Sequence, residues 1–222
     1  MSGPARNYRA VLFDLDQTLL DSADLIVTAF MDTCRTLLRR TLDREETLRT
    51  WAWPVRARFH ELAPDRADEL TQEYLRRYLA EHDRRARLFP GVPDVLDTLC
   101  ARGYRLGIVT SKRRATTEAA VRAFGLDRWC GVMVVDEDVR RHKPDPEPVL
   151  LAVNRLRVAA DETLMVGDSA EDISAGRGAG AGTAAALWGA MRIDEVLGAQ
   201  PDHRLEHPDA LLALLHRETS EP

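Results

Sequence analysis

Two carboxylates stand two residues apart at the end of an apolar run, Val11-Leu12-Phe13-Asp14-Leu15-Asp16-Gln17-Thr18. A short apolar run closed by turn-forming residues is the pattern of a buried strand in a parallel sheet, and the tips of such strands are where open α/β sheets bind ligands. Asp14 reads as a nucleophile on a strand tip, with Asp16 beside it in a crevice. Two anions so close raise each other's electrostatic cost, so the pair calls for a shared cation or a proton on one carboxyl. The competing reading is a strand-ending turn that caps a helix beginning near Asp21, since Asp and Thr are common there too.

Three later segments repeat the design. Arg105-Leu106-Gly107-Ile108-Val109-Thr110-Ser111 ends in hydroxyls and leads into a helical segment from Lys112 to Phe124. Thr110 and Ser111 can offer hydroxyl and backbone N–H groups to an anion at a helix N-terminus, or simply cap the helix. A third run, Val132 to Val135, leads through Arg141-His142-Lys143-Pro144-Asp145-Pro146-Glu147-Pro148 to an amphipathic stretch from Val149 to Leu156. Of 31 basic residues only two are lysines, Lys112 and Lys143. A lysine kept where arginine is used almost everywhere else suits a site that needs a compact point charge, and Pro144 holds Lys143 in extended backbone. The fourth run, Thr163 to Gly167, ends in Asp168-Ser169, with Asp172 four residues on. A helix starting at Ser169 places Asp172 in its first turn, close to the strand end.

The elements that must position these groups are legible as well. Between Asp21 and about Arg87 the strand signal gives way to helical periodicity, with Leu25, Ala29, Leu37 and Leu38, then Leu70, Tyr74, Leu75 and Tyr78. Leu88-Phe89-Pro90-Gly91-Val92-Pro93 marks a turn before a helix from Asp94 to Cys100. Thr183 to Leu187 reads as a fifth strand and Pro208 to Leu215 as a terminal helix. The glycine string from Gly176 to Gly182 follows a helix rather than a strand, so it reads as helix termination and close packing, not as a dinucleotide fingerprint.

Composition narrows the function classes. The net charge is −5, from 31 basic and 36 acidic residues interspersed, which gives no support to a nucleic-acid role. Cys34, Cys100 and Cys130 lack disulfide or zinc spacing and read as buried or half-buried reduced thiols. No apolar stretch approaches the roughly 20 residues of a membrane span, and Met1 to Arg9 lacks a secretory apolar core. A cytoplasmic protein is expected.

Taken together, Asp14-x-Asp16-x-Thr18, Thr110-Ser111, Lys143-Pro144 and Gly167-Asp168-Ser169 with Asp172 resemble, in order, the motifs of the haloacid dehalogenase-like hydrolases, in the phosphatase branch with a helical cap. The resemblance runs from about Ala10 to Leu214. It implies an α/β fold: a Rossmann-like doubly wound parallel sheet formed by residues 1–20 and 88–222, with a smaller α-helical cap inserted at 21–87. It also implies that Asp14 attacks phosphorus and forms an aspartyl-phosphate. Asp16 would protonate the leaving oxygen and then activate water. Asp14, the backbone carbonyl of Asp16, and Asp168 would hold one Mg²⁺. Lys143, Thr110 and Ser111 would neutralise and bind the phosphoryl group, with Thr18 and Asp172 in support.

In the cap, Trp51-Ala52-Trp53-Pro54-Val55-Arg56 stands where such proteins carry a specificity segment. Arg56 is expected to meet a substrate carboxylate, and the tryptophans to line the pocket, at least one of them packing inside the cap. Gln17 replaces the usual glycine of the motif. The expected substrate is a small phosphorylated metabolite, phosphoglycolate first, with pyrophosphate or a sugar phosphate in a mutase as alternatives. A monomer or homodimer with neither nucleic acid nor membrane as partner completes the expectation.

Overall fold

The computed structural model describes residues 7–217. Eight strands are present among them: β1 (Ala10–Phe13), β2 (Leu20–Asp21), β3 (Arg87–Leu88), β4 (Arg105–Val109), β5 (Cys130–Val134), β6 (Thr163–Gly167), β7 (Gly182–Ala186) and β8 (His203–Leu205). Six of them form one parallel sheet in the order β5-β4-β1-β6-β7-β8. The chain builds outward from β1 in one direction through β4 and β5, and in the other through β6, β7 and β8. Such a reversal opens a crevice beyond the carboxyl ends of the central strands.

The apolar runs are continuous because both faces of the sheet are covered. Side chains alternate along β1: Val11 and Phe13 join one core, and Ala10 and Leu12 join the other. The first core is closed by α5 (Val92–Ala101), α6 (Arg114–Phe124) and α10 (Ala210–Arg217), the second by α7 (Glu147–Leu156) and α8 (Ala170–Gly178). All four residues of β1 are at most 2% exposed, so Leu12→Ala would cost about 2–5 kcal/mol through lost burial and a residual cavity. Gly176 lets α8 seat on the sheet, since a Cβ there would stand 2.9 Å from Met165 Cβ and from Thr183 Cγ2.

The helical segment forms a layer with a separate core. It comprises α1 (Ala23–Thr33), which runs into a π-helical turn at Cys34–Leu38, then α2 (Arg44–Leu48), α3 (Val55–Leu62) and α4 (Ala67–Arg85). Leu25, Ile26, Phe30, Phe59, Leu70, Tyr74 and Tyr78 fill it, with Phe30 and Phe59 stacked at 4.5 Å. The short strands β2 and β3 pair antiparallel where the chain leaves and regains the sheet domain, with Asp21 opposite Arg87. Farther out, His82 of α4 meets Phe124 of α6 with ring centroids 5.7 Å apart.

Several boundaries differ from the sequence reading for local reasons. Helix α5 starts at Val92, because Gly91 at φ +86° ends the turn and Pro93 fits a first helical turn. Helix α6 starts at Arg114, two residues later than expected. The elements α9 (Ile193–Gly198) and β8, six and three residues long, are too short to show a periodicity. Cys34 is buried, but Cys100 is exposed. No described helix is long and apolar enough to cross a membrane.

Candidate active site

Parallel register brings three strand tips level: Phe13 of β1 pairs with Ile108 of β4 and Val166 of β6. Asp14, Thr110 and Asp168 therefore emerge at the same edge of the sheet. The Asp14 N–H donates to Val166 O at 2.9 Å, which fixes the residue against β6. Lys143 comes in from the loop before α7. Its Nζ donates to Asp14 Oδ1 at 2.7 Å, Asp172 Oδ1 at 2.5 Å and Val109 O at 3.2 Å.

Ser169 caps α8, and its N–H and Oγ donate to Asp172 Oδ2 at 3.1 and 2.5 Å. The capped helix start and the charged site are thus the same feature. Gly167 makes this possible, since any Cβ there would lie 2.4 Å from the Asp172 carboxyl carbon.

Asp14, Asp168 and Asp172 each offer an oxygen within 4.8 Å of the others, all three buried. Among the described residues one ammonium, that of Lys143, lies between them. Burial lifts the Asp14 carboxyl from 3.8 to about 7 despite Lys143, with Asp172 and Asp16 adding repulsion. Burial, then Asp14 and Asp172, push Asp168 well above its ordinary value. Burial works against the Lys143 ammonium, but Asp14 and Asp172 outweigh it and hold its pKa above the usual lysine range.

Three carboxylates around one ammonium leave an excess of buried negative charge that a hard cation relieves. One acceptor stands ready for it: Thr18 Oγ1 donates to Asp168 Oδ1 at 3.2 Å, whereas Asp168 Oδ2 is buried with no partner among the described residues. The donor set, all oxygen, fits Mg²⁺.

The Asp16 side chain turns away from this cluster. Its Oδ1 accepts from Ser22 Oγ at 2.5 Å and from Lys112 Nζ at 2.9 Å. Lys112 in turn donates to Tyr78 Oη of α4 at 2.5 Å and lies 4.3 Å from the centre of that ring. Sequence reasoning noticed the rarity of lysine but gave Lys112 no place in the site. Gln17 sits at φ +62°, a conformation that favours glycine. With its amide oriented by the surrounding network, its oxygen accepts from the Ser22 and Ala23 N–H groups at 2.9 and 2.8 Å and its nitrogen donates to Gly189 O at 3.2 Å. The glutamine thus caps α1, a bond that glycine would forgo.

At the tip of β4, Ser111 Oγ is buried and has no partner among the described residues. Thr110 lines the cleft, but its N–H is committed to Val134 O at 3.0 Å, so only its hydroxyl remains from the expected pair of donors. The cleft between sheet edge and helical layer holds about 80 Å³ of free space and is open to solvent on one side. Asp14, Asp16, Lys112, Lys143 and Asp168 line its floor, with Trp51, Trp53 and Tyr74 on the opposite wall.

Arg56 is not in it. That side chain is half exposed and bound to Asp68 of α4 at 2.6 Å, because it leaves α3 on the outer face. Two residues on, Arg58 takes the inner position: it is 3% exposed and lines the cleft. Its Nε donates to Thr50 Oγ1 at 3.3 Å and its Nη2 to Thr47 O at 2.8 Å, with the guanidinium 4.0 Å from the Phe30 ring centre. Burial lowers its pKa to about 10. A helical face changes within two residues, and only the layer's packing decides which arginine points inward.

Comparison with known proteins agrees with this architecture. The family model described as haloacid dehalogenase-like hydrolase matches residues 11–186. Pyrophosphatase PpaX of Anoxybacillus flavithermus is 35% identical over 209 residues, 94% of this chain and 97% of that protein. Pyrophosphatase PpaX of Halalkalibacterium halodurans is 36% identical over 90% of this chain and 94% of its own length. Among solved structures, a phosphoglycolate phosphatase, so named provisionally, from Lactobacillus plantarum superposes with a TM-score of 0.84 at 27% identity, covering 94% of this chain and 99% of that one. CbbY from Rhodobacter sphaeroides, solved in complex with phosphate, gives 0.83 at 26% identity with the same coverage. This chain belongs to the haloacid dehalogenase-like hydrolase family.

Proposed function

We propose that the protein is a Mg²⁺-dependent phosphohydrolase that passes the phosphoryl group of a small metabolite to Asp14 and then to water. The observation that carries the reading is the buried constellation of Asp14, Lys143, Asp168 and Asp172, in which Lys143 Nζ lies 2.7 Å from Asp14 Oδ1.

Asp14 attacks phosphorus as the bond to the leaving oxygen breaks, with the electron pair departing on that oxygen. Asp16 gives the leaving oxygen its proton, then takes a proton from the water that cleaves the aspartyl-phosphate and restores Asp14. Lys112, 2.9 Å from Asp16 Oδ1, and Ser22 hold Asp16 in place. Lys112 must loosen from that carboxyl as the proton is acquired, and the incoming phosphoryl oxygens offer it a competing partner. Lys143 together with the Ser111 and Thr110 hydroxyls binds the transferring group, where negative charge accumulates. Asp14 and Asp168 would hold Mg²⁺, which supplies charge neutralisation of phosphate oxygens when bound. The helical layer acts as a cap that keeps bulk water from the aspartyl-phosphate.

Pyrophosphate is the first substrate to consider, because relatives spanning nearly the whole chain bear the name pyrophosphatase. Phosphoglycolate follows, from the name of the Lactobacillus plantarum structure. The test is phosphate release with and without Mg²⁺ across pyrophosphate, phosphoglycolate, sugar phosphates and nucleoside monophosphates. A Mg²⁺-dependent preference in kcat/KM is the expected result, and no release from any of them would overturn the proposal.

A further inference from the structure

Arg58 is a buried cation with no anion of its own. Among the described residues no carboxylate lies within ion-pair distance of it, although arginines and both lysines elsewhere find carboxylates on the surface and in the site. Glu46 and Glu61 border a small cavity behind it, and Glu46 is held by Arg40 at 3.5 Å. The bonds that Arg58 makes, to Thr50 Oγ1 and Thr47 O, are to neutral acceptors.

Burying an uncompensated guanidinium is costly, and a glutamine could serve the same two acceptors without a charge. The guanidinium carbon lies 4.0 Å from the centre of the Phe30 ring, a cation–π contact that helps hold the group in place. It shares with the site the cleft that Asp14, Ser111 and Lys143 also line. A planar fork matches a carboxylate or a phosphate, whereas the floor of the cleft is already furnished for the group being transferred.

We infer that Arg58 is the specificity residue for a second anionic group on the substrate, a carboxylate or phosphate carried on the leaving side of the phosphoryl group. This rests on the phosphohydrolase reading above and narrows it to substrates with two anionic ends. Trp51 and Trp53 line the same cleft.

The test compares kcat/KM for pyrophosphate and phosphoglycolate with that for p-nitrophenyl phosphate, which lacks a second anion, in the wild type and in Arg58→Met and Arg58→Lys. The wild type should prefer at least one of the two-anion substrates. That preference ratio should fall by about 10–100-fold in Arg58→Met, whatever loss both substrate types suffer, mainly through KM. Arg58→Lys should recover part of it, since it keeps the charge and loses the fork. Which of the two substrates loses more identifies the distal group as phosphate or carboxylate.

An unchanged ratio in both variants would overturn the inference, as would a wild type indifferent to the second anion. A purely structural arginine would lower all substrates together. If Arg58→Met does not fold, the ratio in Arg58→Lys decides alone, a drop supporting the role and no drop refuting it. If no substrate turns over, the phosphohydrolase reading fails instead, and calorimetric binding of pyrophosphate against inorganic phosphate to wild type and Arg58→Lys still reports on Arg58.

Discussion

Replacing Lys143 by methionine removes the one ammonium that sits among Asp14, Asp168 and Asp172. In the wild type Nζ bonds two carboxylates, at 2.7 and 2.5 Å, and its side chain is only 5% exposed. Breaking a buried ion pair from one side costs about 3–5 kcal/mol, because the stranded charges stay buried. At roughly 2–4 °C per kcal/mol for a chain of this size, the melting temperature at pH 8 in chelator should fall by roughly 6–20 °C.

The pH dependence follows from the signs. Lys143 has its pKa raised by folding, so its contribution is complete below the unfolded value of 10.5 and is lost only above it, outside the range from pH 5 to 8. In the variant the stranded carboxyls can instead take protons as the pH falls. The deficit should therefore be smaller at pH 5 than at pH 8, and millimolar Mg²⁺ should shrink it at pH 8 by supplying the missing positive charge. Turnover should drop by about 10²–10⁴-fold, since the proposed mechanism also has Lys143 bind the group on which negative charge develops. Differential scanning calorimetry at both pH values, with and without Mg²⁺, reads all of this except the rate. A variant as stable as wild type at pH 8 in chelator would show that these carboxylates do not depend on Lys143, and the electrostatic account of the site would fall.

Asp14→Asn should abolish turnover by several orders of magnitude while leaving circular dichroism unchanged. Because folding raises the Asp14 pKa from 3.8 to about 7, the folded protein binds the extra proton and metal-free stability declines as pH rises between those values. The same substitution should flatten that decline in thermal melts, and an unchanged slope would refute the assignment. Gly167→Ala places a methyl 2.4 Å from the Asp172 carboxyl carbon. It should push that carboxylate off Lys143 and cost activity at least tenfold, more than it costs in melting temperature, a difference visible by comparing kcat with the thermal midpoint.

The parallel sheet and the polar residues at its tips are legible because fully buried strands must be apolar throughout and then stop. Asp14, Thr110 and Asp168 each follow such a stop, and the register that levels them needs no further signal. Residues of the helical layer were less legible. Arg56 and Arg58 share a helix and a composition, and only tertiary packing turned one to Asp68 and the other to the cleft. Lys112 was visible through its rarity, yet its bond to Asp16 joins positions 96 residues apart and its bond to Tyr78 joins the sheet domain to the layer. Gln17 could be seen as a departure from glycine, but its gain, the capping of α1, exists only once the turn is folded.

The antiparallel pairing of Asp21 with Arg87 brings the two ends of a 65-residue excursion to the spacing of neighbouring strands, about 5 Å. A tight hairpin turn could close that gap as well as four helices do. The sheet domain, which owns Asp14, Asp16, Lys143 and Asp168, has no covalent stake in what is threaded between those two residues. Arg58 and the tryptophans belong wholly to the excursion. Such an excursion can be lengthened, shortened or exchanged for another without cutting any strand of the six-stranded sheet, so that the groups at the strand tips and the groups that face them are free to change separately.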